Sequence, residues 1–233
     1  MSGTARPTPA MLLEQGLARH RLGDVAGAEM LYRTVLRGQR RNFDAQRLLG
    51  LALHGQRRNA EAHAALIRAA RIEPNSAMVH SDIGVVLQAL GRFQEAMASF
   101  ERSLALDPNH ADGYYNRGFL KLTLGRPQEA LEDFDAMLRR VPDYGPALNN
   151  KGLALLHLDR PAEAAPVLDR AVAVEPENVL AHVNRGRAYL RLGRAAEAIA
   201  SFDKALARAP DLADVQADRE RARAMPPADA PPA

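Results

Sequence analysis

The sequence predicts an all-α solenoid of six antiparallel helix-turn-helix repeats closed by a C-terminal capping helix. Three observations carry that prediction. Gly16, Gly50, Gly84, Gly118, Gly152 and Gly186 stand 34 residues apart with no insertion or deletion. Ala28, Ala62, Ala96, Ala130, Ala164 and Ala198 keep the same step, as do Pro74, Pro108, Pro142, Pro176 and Pro210. A fixed period of this length is the signature of stacked supersecondary units.

Counting each copy from the residue seven before its glycine places the starts at Pro9, Phe43, Ala77, Ala111, Gly145 and Val179. Glycine is then position 8, alanine position 20 and proline position 32. Position 24 is Tyr32, Leu66, Phe100, Phe134, Leu168 and Phe202. In the third copy Ile83, Gly84 and Leu87 share one face of a helix. Gly91 at position 15 stops that helix, because glycine takes a left-handed end conformation without a Cβ penalty. Gly23, Gly125 and Gly193 hold the same position, whereas Arg57 and Asp159 fill it in copies two and five. A second helix carries Ala96, Phe100 and Leu104 on one stripe until Pro108 forbids continuation. Pro127 and Pro161 suit the first turn of second helices. Pro166 falls inside the second helix of copy five and is expected to bend it. One such hairpin cannot bury its own apolar face, so stability comes from stacking on neighbours.

At the ends, Thr8 and Pro9 form an N-cap and a first-turn proline, with residues 1–8 expected to be disordered. The six copies span 9–42, 43–76, 77–110, 111–144, 145–178 and 179–212. Residues 213–225 are helical in pattern but densely charged (Asp218, Arg219, Glu220, Arg221, Arg223), as a cap with a watered outer face should be. The Pro/Ala segment 226–233 has the composition of a disordered tail.

These Gly/Ala, aromatic and Pro columns resemble the tetratricopeptide repeat over residues 9–212. The resemblance implies a right-handed superhelix whose first helices line a concave groove through positions 2, 5, 6, 9, 12 and 13, and a role as a scaffold for protein partners. Ala-Glu-Met-Leu-Tyr-Arg at 28–33 and Leu-Leu-Gly-Leu-Ala-Leu at 48–53 are similar to repeats of O-linked N-acetylglucosamine transferase-type proteins.

Position 6 ends in Asn116, Asn150 and Asn184. An amide offers both a donor and an acceptor, so such a row can pair with a peptide backbone whatever its sequence; it resembles the asparagine ladder of those transferases. Position 9 runs Leu17, Leu51, Val85, Phe119, Leu153 and Arg187, with Tyr115 and Asn149 beside it at position 5. Apolar pockets and amides together are what an extended or helical peptide needs. Arg187 and Arg191 are placed to receive an acidic residue or a chain terminus. The two-carboxylate clamp for chaperone tails is absent, since it needs Lys at position 5 with Asn at position 9. Arg117, Lys151 and Arg185 at position 7 recur with Asp135, Asp169 and Asp203 at position 25. They are expected to form an ion pair within each repeat, worth about 0–1 kcal/mol.

Composition removes other classes. The 233 residues are 47% hydrophobic, enough for a continuous core, and contain no cysteine. Disulfides and thiol chemistry are thereby excluded, and a reducing compartment fits. No signal-like apolar run or membrane-span pattern appears, so a cytoplasmic location is expected. Net charge is +3, but residues 1–76 hold 12 Arg and Lys against 6 Asp and Glu. A nucleic-acid site would interleave such a patch with stacking aromatics. Only Tyr32 and Phe43 are available there, so a solvated basic edge is the favoured reading. No phosphate loop, zinc-ligand cluster or nucleophile elbow is present, and the seven histidines are scattered. No catalytic residue, metal or cofactor is therefore expected. The first copy, with Arg40 in place of proline and no helix before it, offers a face for self-association.

Two functions follow. The leading one is a non-catalytic adaptor that binds an extended or helical polypeptide segment in the groove. The alternative is a substrate-recognition region related to protein O-glycosyltransferases or sulfotransferases, acting with a separate catalytic chain, because six copies leave no room for a catalytic domain.

Overall fold

Each copy folds into a first helix of 13 residues and a second of 14. The computed structural model describes residues 7–225; residues 1–6 and the 226–233 tail, both expected to be disordered, lie outside the described residues. The first helices are α1 (Pro9–Arg21), α3 (Phe43–Gly55), α5 (Ala77–Ala89), α7 (Ala111–Thr123), α9 (Gly145–His157) and α11 (Val179–Arg191). The second helices are α2 (Val25–Gly38), α4 (Asn59–Ile72), α6 (Phe93–Leu106), α8 (Pro127–Arg140), α10 (Pro161–Val174) and α12 (Ala195–Arg208). The charged segment forms α13 (Ala213–Arg223). No strand occurs among the described residues, and the architecture is that of an all-α helical-repeat solenoid.

The chain divides into two compact units at residues 116 and 117, within α7. In the N-terminal unit α1 through α6 pack each on the next, and α1 and α5 also touch α3. In the C-terminal unit α8 through α13 pack in the same succession, with α11 touching α9 and α13.

Helix ends follow their residues. Thr8 caps α1 through a hydrogen bond from Met11 N to its Oγ1 of 3.2 Å, and Pro127 and Pro161 open α8 and α10. Every first helix ends in a left-handed residue at position 15. Gly91 has φ +73°, and Arg57 and Asp159 are forced to +61° and +55°. The amide two residues beyond the last helical turn then closes back on the helix, as from Arg92 N to Leu87 O at 2.9 Å, satisfying a carbonyl the helix leaves open. Pro166 sits inside α10 without ending it.

The core is the column pattern made solid. All six position-20 alanines and all six position-24 residues are fully buried. A Cβ on Gly84 would come within 2.4 Å of Phe100 Cε1, and one on Gly186 would be as close to Phe202. Only glycine therefore lets the aromatic ring lie against the first helix. Each buried Phe contributes about 1.5–3 kcal/mol by leaving water.

The position-7 cations are all paired, Lys151 and Arg185 with carboxylates of the preceding repeat and Arg117 within its own. Lys151 meets Asp135 at 2.6 Å, Arg185 meets Asp169 at 2.6 Å, and Arg219 of the cap meets Asp203 at 3.1 Å. Each of these three cations reaches back to the second helix of the preceding repeat, which corrects the intrarepeat expectation for Lys151 and Arg185. The reason is helical phase: position 8 faces its own second helix, and position 7 lies about 100° around the helix from it, toward the preceding hairpin. Arg117 does pair within its own repeat, but with Asp133 at position 23 rather than Asp135, forking onto it at 3.0 and 2.6 Å, and Lys121 joins the same carboxylate at 2.8 Å.

Candidate interaction surface

The columns expected to line a groove lie on the first helices, and the structure shows how successive first helices are tied. Position 5 of one copy bonds position 6 of the next, 35 residues on. In the N-terminal unit Arg47 Nε donates to Asp82 Oδ2 at 2.5 Å, and Asn116 Nδ2 donates to Ser81 Oγ at 3.1 Å. In the C-terminal unit Asn184 Nδ2 donates to Asn149 Oδ1 at 2.9 Å, while Asn149 Nδ2 donates to Asn150 Oδ1 at 3.3 Å. The same offset recurs further along, where Arg191 Nη1 donates to the Leu156 carbonyl at 2.5 Å.

Asn149, Asn150 and Asn184 are buried, whereas Asn116 and Tyr115 are half-buried. Asn184 and Asn149 thus tie α11 to α9, and Asn116 is tied to Ser81 on α5. The position-9 row is partly open. Phe119 is 42% exposed, and Leu17, Leu51, Val85 and Leu153 are half-buried. Arg187 is engaged: its Nη2 donates to Asp214 at 2.6 Å and its Nε to Asp218 at 2.9 Å, both on α13. It ties the last repeat to the cap, and Arg191 is tied to α9. Asp82 is pushed above the ordinary carboxylate range by burial, against the opposing pull of Arg47.

Two recurring devices escaped the sequence reading. A position-4 side chain caps the position-32 carbonyl of the preceding copy. His80 donates to Pro74 O at 2.9 Å, His182 to Pro176 O at 2.8 Å, Gln216 to Pro210 O at 2.6 Å and Gln46 to Arg40 O at 3.3 Å. Two of the scattered histidines thus have structural work. The second device is a fork from Arg at position 16 to Glu at position 19, present in Arg58–Glu61, Arg92–Glu95, Arg126–Glu129, Arg160–Glu163 and Arg194–Glu197. Each arginine holds its glutamate below the ordinary carboxylate range. Both devices were visible as columns at the 34-residue step.

Among the described residues no three His, Asp or Glu side chains gather as a metal site would require, and no helix is long and apolar enough to cross a membrane.

A family model described as the tetratricopeptide repeat matches residues 13–77, 81–145, 115–172 and 149–213. Among curated proteins no sequence matches the chain. Solved structures share the fold. A chain of the anaphase-promoting complex assembly Cut9–Hcn1 is 17% identical with a TM-score of 0.84, covering 92% of this chain and 42% of that one. PilF of Pseudomonas aeruginosa is 17% identical with a TM-score of 0.81, covering 91% and 96%. YrrB, described as a TPR protein with an unusual peptide-binding site, is 18% identical with a TM-score of 0.65, covering 81% and 97%. These likenesses carry the architecture and not the more particular similarity to transferase repeats.

Proposed function

Since this chain belongs to the tetratricopeptide repeat family, we propose that it is a protein-interaction scaffold without catalysis of its own, holding an extended or helical polypeptide segment along its first helices. The observation that carries this reading is Phe119, a large aromatic left 42% exposed on a first helix, in a column whose other apolar members are half-buried. An aromatic anchor on a rigid helix face suits recognition by burial, and Leu153 continues the column one repeat on. In this reading the amides of Asn116, Asn149, Asn150 and Asn184, each a donor and an acceptor, pair with the backbone of the bound segment. Tyr115 flanks Phe119 in sequence at the same end of the row. In this reading Arg187 and Arg191 hold α11 in place, leaving specificity to the apolar column.

The test compares partner recovery by the wild type with recovery by Phe119→Ser/Leu153→Ser and by Asn116→Ala/Asn150→Ala/Asn184→Ala, each checked for helix content. Both positions of the first variant keep solvent contact, so it is expected to stay folded and lose recovery about tenfold or more. Recovery equal to wild type from that folded variant would remove the first-helix column from the mechanism.

A further inference from the structure

A second site lies in the N-terminal unit, among residues outside the columns of the candidate groove. Helices α2, α3 and α4 and the loop between α2 and α3 enclose an open cavity of about 710 Å³ lined by Met30, Arg33, Leu36, Arg37, Arg40 and Arg68, among others. A contiguous recess adds Arg41 and shares Arg37 and Arg40. Arg33 is answered by Glu29 and Glu61. Among the described residues Arg37 reaches only the Thr34 hydroxyl, and Arg68 only the Gln46 carbonyl oxygen at 3.1 Å. Arg40 and Arg41 have no carboxylate partner among the described residues either.

The repeats supply their own control. In later copies the position-26 arginine is met by position 33 of the preceding copy: Arg102 by Asn75, and Arg170 by Asp143 at 2.6 Å. Position 33 is Asn75, Asn109, Asp143, Glu177 and Asp211 in copies two to six, but Arg41 in copy one. Position 32 is proline in those copies, but Arg40 here. The architecture thus needs neither arginine, and at this junction alone the counter-charge has become further positive charge. Gln46 on α3, itself buried, accepts from Arg68 on α4 and donates to the Arg40 carbonyl in the preceding loop, which joins the two parts of the cluster.

We propose that this cavity binds an acidic peptide segment of a partner protein, with an apolar side chain against Met30 and Leu36 and flanking carboxylates on Arg37, Arg40 and Arg68. Guanidinium groups fork onto carboxylates, and the cavity falls within the size range of ligand pockets. Its walls carry aliphatic side chains and no aromatic on which a nucleobase would stack.

Fluorescence anisotropy of the full chain with a labelled Glu-Glu-Leu-Leu-Glu-Glu peptide tests this at low salt and at about 0.15 M salt. Arg37→Ala/Arg40→Ala/Arg68→Ala should weaken binding about tenfold or more, whereas removing equal charge with Arg21→Ala/Arg71→Ala/Arg139→Ala should leave it within about twofold. Arg40→Pro restores the column residue, so it keeps the fold and should still weaken the peptide. The proposal is overturned if the Gln-Gln-Leu-Leu-Gln-Gln peptide binds equally well, or if both triple variants behave alike. It is equally overturned if an oligothymidylate or phosphatidylserine vesicles bind the cluster and the acidic peptide does not. The Phe119→Ser/Leu153→Ser variant should bind this peptide as wild type does, which separates the two sites.

Discussion

Asp133 is the position where one substitution should cost most. Its carboxylate is 2% exposed and receives Arg117 Nε and Nη2 at 3.0 and 2.6 Å and Lys121 Nζ at 2.8 Å. Lys121 is itself only 9% exposed. Two cations therefore share one buried anion. Asp133→Ala removes the anion and leaves like charges together away from water, a change that costs about 3–5 kcal/mol when a buried pair is broken from one side. Against a typical stability of about 5–15 kcal/mol, that is a large fraction. Asp133→Asn keeps the shape and one acceptor, so it should fall between wild type and Ala. The charge-free variant Arg117→Met/Lys121→Met/Asp133→Leu should recover most of the loss, because a well-packed apolar replacement avoids desolvation altogether. Urea unfolding followed by circular dichroism measures all three. A loss below about 1 kcal/mol for Asp133→Ala, or a charge-free variant no better than it, would refute the buried-triad reasoning.

Other outcomes follow from single features. Arg57→Gly and Asp159→Gly should each stabilise by about 0.5–1 kcal/mol, since a left-handed non-glycine residue costs about 1–2 kcal/mol and glycine's extra chain entropy returns part of it; thermal melts would show it. Tyr32 is fully buried with its hydroxyl unpartnered, so Tyr32→Phe should be neutral or stabilising by up to about 1 kcal/mol, and a clear loss in the same melts would contradict that. The five position-19 glutamates have depressed carboxyl values in the folded chain. Their contribution is thus present above the unfolded value near about 4.3 and lost as pH falls through the folded one. Asp82, raised by burial, works in the opposite direction but is one group against five. Urea midpoints should therefore drop below about pH 4.5, and Glu129→Gln should flatten that drop; midpoints unchanged down to pH 3 would contradict it.

The sequence made the hairpins legible because packing demands recur at a fixed step: glycine where a ring must touch backbone, alanine where helices cross, proline where one must stop. Position 15 shows the limit of that logic. The left-handed turn forms even where Arg57 and Asp159 occupy it, since tertiary packing overrides the local cost. The site was less legible. Asn150 and Asn184 were identifiable as a row, but not as braces, because pairing depends on the 35-residue offset between adjacent first helices, and a periodicity of 34 does not reveal it. A different offset, 16 residues back to the preceding second helix, escaped the ion-pair expectation, which named Lys151, Arg185 and their carboxylates but joined them inside one repeat. Arg187 looked like an open cation because its partners, Asp214 and Asp218, belong to the cap rather than to a repeat column.

The first-helix face can be interrogated by placing a photo-crosslinking amino acid at Phe119 or Leu153, and in separate variants at the exposed second-helix positions Glu132 or Ala173. Irradiation with the recovered partner should yield crosslinks from 119 and 153 and none from 132 and 173. Crosslinks from the second-helix positions alone would contradict the account.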